Sequence, residues 1–247
     1  MIAKRVSNFI ENSSALGVLN SLSLVWNFSL LRKKLCPVLF PGCSQPLYLR
    51  QPSSDLVLLK QFLPVFHNWK PKQSQVQVVI DAGANIGLFT IMMANRHPQA
   101  RIIAIEPDQE NFELLVQNCK PYKNVEVIQA ALWYKKEPLM ISNPAAGHWE
   151  RQVQTKQDQS AMTIDAVTVS DILKDFGIEK IDVFKIDIEG AEGPLFQHSD
   201  LSWLSQVQEM LAELHTLPDM DVQQVFFDAL SPYSYSQEEL GEYVWLS

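Results

Sequence analysis

The chain has 247 residues, 47% of them hydrophobic and 19% charged, which is enough apolar material for one sizeable α/β core. With 20 basic against 28 acidic residues the formal charge is −8, so there is no overall basic field for a phosphate polymer and nucleic acid is not the expected partner. Cys36, Cys43 and Cys119 form neither an even disulfide set nor a metal-ligand cluster, which points to a reducing, cytoplasmic setting.

From the N-terminus, Ala15 to Leu31 is apolar but interrupted by Asn20, Ser21, Ser23, Asn27 and Ser29, too short and too polar for a membrane-spanning helix of about twenty apolar residues. Ala15, Leu19, Leu22, Trp26 and Leu30 share one helical face, with Asn20, Ser23 and Asn27 on another. That amphipathic pattern suits a lid over the core, a dimer contact or a peripheral membrane contact. No small-residue cleavage site follows, so a secretory signal is not expected. A second helix is expected from Leu56 to Phe62, capped by Ser53 or Ser54 and stopped by Pro64.

The core begins near Gln75. Val78-Val79-Ile80-Asp81 is an apolar strand ending in an acid, and Ala82-Gly83-Ala84-Asn85-Ile86-Gly87 is a turn in which Gly83 and Gly87 allow close approach of a ligand and Asn85 tolerates positive φ. The apolar run from Leu88 to Ala94 reads as the following helix, its N-terminus facing a nucleotide-like cofactor. A dinucleotide fingerprint would place a third glycine near Phe89 and Thr90, and a phosphate loop would continue into Gly-Lys-Ser/Thr; neither is present. A second apolar strand, Arg101 to Ile105, ends in Glu106, nineteen positions beyond Gly87, where nucleotide-binding folds place the acid that accepts the ribose hydroxyls. Asp108 caps a helix from Gln109 to Cys119, and Val125 to Gln129 forms the third strand of a β-α-β-α-β series. Gln129, Ala130 and Ala131, at and just after its end, are expected near the adenine.

A polar excursion then runs through residues 142–162, either a substrate loop or a β-hairpin pair, with His148, Trp149 and Arg151 as its residues of obvious binding chemistry. Val167 to Leu173 reads as a strand end and a helix start capped by Ser170, and Gly177 stops that helix. Strand four is Ile181 to Ile186 and ends in Asp187; strand five is Val207 to Leu214 and ends beside His215. A helix from Asp219 to Leu230 and terminal strands Tyr233–Ser236 and Tyr243–Leu246 complete the inventory.

The Asp81–Gly87 turn resembles motif I of class I S-adenosylmethionine-dependent methyltransferases. Lys185-Ile186-Asp187-Ile188-Glu189-Gly190-Ala191-Glu192 resembles the signature of FkbM-type methyltransferases. Leu47-Tyr48-Leu49-Arg50 with Ser54-Asp55, Glu106-Pro107 and Glu213-Leu214-His215 agree with that family in order and spacing, so the resemblance covers roughly residues 46 to 247. It departs at Gln51, where a glycine is common, and in the polar 142–162 stretch. The resemblance implies a Rossmann-like class I methyltransferase fold, a seven-stranded mostly parallel sheet with an antiparallel edge, divided into an N-terminal helical cap (1–74) and a cofactor-binding domain (75–247). It also implies S-adenosylmethionine as cofactor, bound by Asp81, Gly83, Asn85, Gly87, Glu106, Gln129, Ala130 and Asp187, and O-methylation of a sugar or natural-product hydroxyl.

In such a sheet the ligand lies beyond the strand ends at the switch in strand order, where Asp81, Glu106, Asp187 and His215 converge. Asp187 is the candidate base or the group orienting the methionine amine, and His215 the alternative base. Asp187, Glu213 and His215 also present a weaker pattern for a divalent ion acting on the acceptor hydroxyl. The Asn/Asp-Pro-Pro-Tyr/Phe run of amino-methyltransferases is replaced by Asp187-Ile188-Glu189-Gly190, which favours a hydroxyl acceptor. Two other readings stay open: a non-catalytic cofactor-binding scaffold, and an NAD-dependent oxidoreductase, which lacks a supporting Tyr-x-x-x-Lys dyad.

Overall fold

The structure, a computed structural model, describes residues 34–39, 42–142, 152–155 and 163–247. The amphipathic stretch from Ala15 to Leu31, and His148, Trp149 and Arg151, lie outside the described residues. No helix of the described residues is long and apolar enough to cross a membrane.

The first described elements are a hairpin that the sequence reading missed, β1 (Leu35–Leu39) paired antiparallel with β2 (Pro46–Arg50). Its alternation buries Cys36, Val38, Leu47 and Leu49 on one side. Cys36 and Cys43 are both buried and no disulfide joins them. Helix α1 (Asp55–Phe66) follows and does not stop at Pro64. Proline removes a backbone donor, but Pro64 sits on the exposed side of α1, where water replaces it, while Phe66 anchors the extra turn. Phe66 makes edge contacts with Trp69, Phe89 and Tyr243 at centroid separations of 5.9, 5.5 and 5.2 Å.

The central sheet is built from β3 (Val78–Ala82), β4 (Arg101–Ile105), β5 (Val125–Ile128), β10 (Ile181–Ile186), β11 (Val207–Glu213), β12 (Gln237–Leu240) and β13 (Tyr243–Leu246). Their order is β12-β13-β11-β10-β3-β4-β5, parallel from β11 to β5, with β13 and β12 antiparallel at the edge. This is the seven-stranded Rossmann-like arrangement expected from the sequence. The first terminal strand falls at Gln237–Leu240 rather than 233–236; Tyr233 and Tyr235 instead pack on the core below it.

Both faces of the parallel strands are buried, and successive residues alternate between them. Val79, Ile102, Ala104, Val183 and Leu211 join the hairpin, α1, α2 (Leu88–Arg96) and α3 (Gln109–Cys119) in one apolar cluster. Ile80, Ile103, Phe184 and Met210 face α4 (Val169–Phe176), α5 (Glu192–His198) and α6 (Val222–Leu230) in the other. Two residues on from Val79, Val183 and Leu211, the same alternation sends Asp81, Lys185 and Glu213 to the α1 side at the strand ends.

Asp108 caps α3 as expected, accepting from the Asn111 N–H. Helix α4 is capped by Thr168 rather than Ser170, because Thr168, two residues earlier, closes a reciprocal capping box with Asp171. Gly177 ends α4 at φ 61°, as expected. The polar excursion enters a separate sheet, β6 (Ala131–Leu132), β7 (Pro138–Ser142), β8 (Gln152–Thr155) and β9 (Thr163–Val167), in the order β6-β9-β7-β8.

Phe66 connects α1, the aromatic layer and the terminal strand, so Phe66→Ala is expected to lower stability by about 3–5 kcal/mol in urea unfolding; a loss below about 1 kcal/mol would mean that α1 is only loosely attached.

Candidate functional site

Strand order reverses between β3 and β10: the chain runs from β3 outward through β4 and β5, then returns to β10 and β11 on the other side. A pocket of about 710 Å³ opens beyond the strand ends at that point, a volume in the range of small-molecule sites. Asn85, Glu106 and Asn111 line one end, Glu189, Glu213 and His215 the other, Gly83 and Asp187 meet where β3 and β10 adjoin, and Phe62, Val65 and Phe66 of α1 form an apolar wall.

The turn after β3 is held by its own backbone. Gly83 and Ala84 N–H groups donate to the Ile105 carbonyl at 3.0 and 2.9 Å, and Asn85 adopts φ 51°. At Gly83 a Cβ would stand 1.6 Å from the Asp187 carbonyl oxygen, so only glycine lets β3 and β10 deliver their ends this closely. Glu106 is 5% exposed; its Oε2 accepts from the Asn85 N–H at 2.8 Å and its Oε1 from the Asp108 N–H at 2.9 Å. Burial, only partly offset by these bonds, pushes its carboxyl up to about 7.

At the other end, Lys185 Nζ lies 3.1 Å from Asp187 Oδ2, 3.5 Å from Asp81 Oδ1 and 3.2 Å from the Gly83 carbonyl oxygen. Burial opposes its charge, yet the two carboxylates outweigh it and hold the ammonium above its ordinary value. The Tyr243 hydroxyl donates to the same Asp187 oxygen at 2.8 Å. Glu192, fully buried, accepts from the Ile188 and Gly190 N–H groups at 2.8 and 2.9 Å and so shapes the loop after β10. It also meets His215 Nδ1 at 3.1 Å, while Nε2 of that ring is 3.4 Å from Glu189 and 3.7 Å from Glu213.

With carboxylates at both ring nitrogens, His215 is satisfied only as a double donor. Although burial disfavours its charge, Glu192 and Glu189 raise its pKa to about 9, so at neutral pH it is a cation rather than a proton acceptor. Burial and the Asp187 charge raise Glu189 to about 8 and Glu213 to about 7. One ligand atom each from Asp187, Glu213 and His215 lies within 4.8 Å of the others, the grouping named from sequence for a divalent ion.

Of the sequence candidates, Gly83, Asn85, Glu106, Asp187 and His215 line the pocket. Four do not. Asp81 lies fully buried beneath the turn, bonded to the Thr90 hydroxyl. A Cβ on Gly87 would meet Leu115 at 2.8 Å and Cys119 at 3.5 Å, so this glycine serves helix packing. Gln129 donates to Gln109 at 2.6 Å, and Ala130 packs in the second apolar cluster; Ala131, expected beside them, does line the pocket, together with Leu132. Lys185, Asn111 and Tyr243 were not singled out from sequence. Lys185 offered one signal, a lysine after the apolar pair Val183-Phe184 in a strand that is buried on both faces.

Glu189 and Glu213 bind more protons folded than unfolded above pH 4.5, so each costs stability as pH rises toward 7 or 8. His215 contributes stability that is complete below pH 6.5 and lost as pH rises through about 9, the same direction. Thermal stability is therefore expected to fall between pH 5 and 9, and Glu189→Gln to flatten that fall by about 1 kcal/mol after solvent screening. A variant parallel to wild type across the range would contradict the clustered charges.

Residues 81–236 match the Methyltransferase FkbM domain. The chain is 25% identical over 168 residues to Methyltransferase sdnD of Sordaria araneosa, covering 55% of this chain and 65% of that protein. It is 26% identical over 159 residues to Methyltransferase 1 of Beauveria bassiana (strain ARSEF 2860), covering 55% and 64%. The chain thus spans slightly less than two thirds of these relatives' lengths. Among solved structures, the precorrin-6y C5,15-methyltransferase of Geobacter metallireducens GS-15 is similar at 15% identity and a TM-score of 0.42, over 71% of this chain and 80% of that one.

Proposed function

Because this chain belongs to the FkbM methyltransferase family, we propose that it transfers a methyl group from S-adenosylmethionine to a hydroxyl of a sugar or natural-product small molecule. The observation that carries this reading is one pocket with two chemically different ends: a buried ribose-type acceptor, Glu106, beside the glycine turn, and a cluster of proton-binding groups beyond β10 and β11. The donor set fits the cofactor. Glu106 spends one bond per oxygen on backbone N–H groups, and a carboxylate oxygen accepts more than one, which leaves capacity for the ribose hydroxyls. The cofactor, when bound, supplies a methyl already activated on a sulfonium centre.

The protein's part is to orient the acceptor hydroxyl and take its proton. Asp187 is engaged elsewhere, because Lys185 and Tyr243 both donate to its Oδ2. His215 is already protonated. Glu213, which lines the pocket with a pKa near 7, is the group matched to accept the proton at neutral pH. His215, fixed by Glu192, orients Glu213 and balances its charge. The apolar wall of Phe62, Val65 and Phe66 suits the non-polar body of the acceptor.

Incubation with methyl-labelled cofactor and a panel of hydroxylated sugars and natural products is expected to label a hydroxyl oxygen; label on nitrogen or carbon would contradict the O-methyl assignment. On an accepted substrate, Glu213→Gln is expected to cut turnover about 100-fold or more and to remove the acid limb near pH 7, whereas an unchanged profile would take Glu213 out of the proton transfer. Dialysis against a chelator is expected to leave the rate unchanged. Loss that magnesium restores would assign Asp187, Glu213 and His215 to a divalent ion instead.

A further inference from the structure

The β1–β2 hairpin and α1 precede the matched family domain, which begins at residue 81, yet a side chain from this segment reaches Asn111, the neighbour of the group placed at the cofactor ribose. Arg50 closes β2. Its backbone N–H and its Nε donate to Asp55 Oδ2 at 2.6 and 3.1 Å, and its Nη2 donates to Asp55 Oδ1 at 2.9 Å. Asp55 is fully buried, so this fork holds the guanidinium in one place. The same Nη2 donates to Asn111 Oδ1 at 2.7 Å.

An amide side chain has one accepting end and one donating end. With Oδ1 of Asn111 taken by Arg50, the Nδ2 end is turned toward Glu106, 3.5 Å from Oε1. The Asn111 backbone N–H is fixed on Asp108 Oδ1 at 3.0 Å, and the Asp108 N–H donates to that same Glu106 oxygen. Asn111 is 2% exposed and Glu106 5% exposed, so an amide turned the other way would press its oxygen on the carboxylate with little water between them.

We infer that Arg50 is a positioning residue of the cofactor site: by fixing the Asn111 amide it keeps a donor against Glu106 and holds that carboxylate aimed at the ribose diol. The inference rests on the reading of Glu106 as the ribose acceptor, and it makes residues 46–55 a working part of the site rather than a cover over it. Lysine cannot replace Arg50 here, because one ammonium on a flexible stem does not serve a buried carboxylate through two oxygens and an amide at once.

The test is calorimetric titration with S-adenosylhomocysteine and with its 2′,3′-dideoxy analogue. Wild type is expected to prefer the diol ligand. Arg50→Met and Asn111→Leu are each expected to reduce that preference about tenfold while leaving the dideoxy affinity unchanged. Glu106→Gln is expected to erase the preference, and adding Arg50→Met to it to change nothing further. Since Arg50→Met strands the Asp55 charge, the double variant Arg50→Met/Asp55→Leu, which removes both buried charges, is titrated alongside and is expected to match it. Equal losses for both ligands, or a full diol preference in Asn111→Leu, would overturn the inference. If wild type binds neither ligand, the cofactor reading itself fails and this inference fails with it.

Discussion

One buried ammonium joins the parts on which the site depends. Lys185 sits opposite Asp81 in the β10–β3 register, and its Nζ also reaches Asp187 and the Gly83 carbonyl. The end of β3, the glycine turn and the end of β10 therefore meet at one charge that is 4% exposed. Without that ammonium, Asp81 would be a fully buried carboxylate whose main partner is a threonine hydroxyl, a costly arrangement. Tyr243 brings the terminal strand to the same point through Asp187. The ion pairs fix geometry more than they add stability, because desolvation of three charges offsets most of their attraction.

The pocket then separates two kinds of acid. Glu106 is isolated, buried and surrounded by backbone and amide donors, which suits it to accept neutral hydroxyls. Glu189, Glu192 and Glu213 are crowded around a single imidazolium, and burial, aided by the Asp187 charge, raises the proton affinity of the two that line the pocket. On the proposed reading, one family of side chains serves binding at one end and proton transfer at the other, set by neighbours and burial.

Much of this was legible because its signals are local. The glycine turn, the acid at the end of the second strand and the Asp108 cap are each written within a few adjacent residues, and the β-α-β-α-β spacing marks the first three core strands as parallel. The missed features depend on contacts that cross the chain. Tyr243 meets Asp187 across 56 positions, and the Tyr48 N–H reaches Asn118 across 70, docking the hairpin on α3. The hairpin itself is short and contains Pro37 and Pro46, which weaken a strand pattern. Asp81 looks like a ligand group in the sequence, but it is buried beneath the turn, where Lys185 faces it. Gly87 was given a ligand role, whereas its φ of 93° at the start of α2 and its close approach to Leu115 already account for a glycine there.

The central claim is that the switch-point pocket is an S-adenosylmethionine site read by Glu106. Calorimetric titration of wild type and Glu106→Ala with S-adenosylmethionine, S-adenosylhomocysteine and NAD tests it most directly. The expected result is micromolar binding of the two sulfur ligands to wild type, at least tenfold weaker in the variant, and no binding of NAD. Binding of NAD, or of neither sulfur ligand, would contradict it.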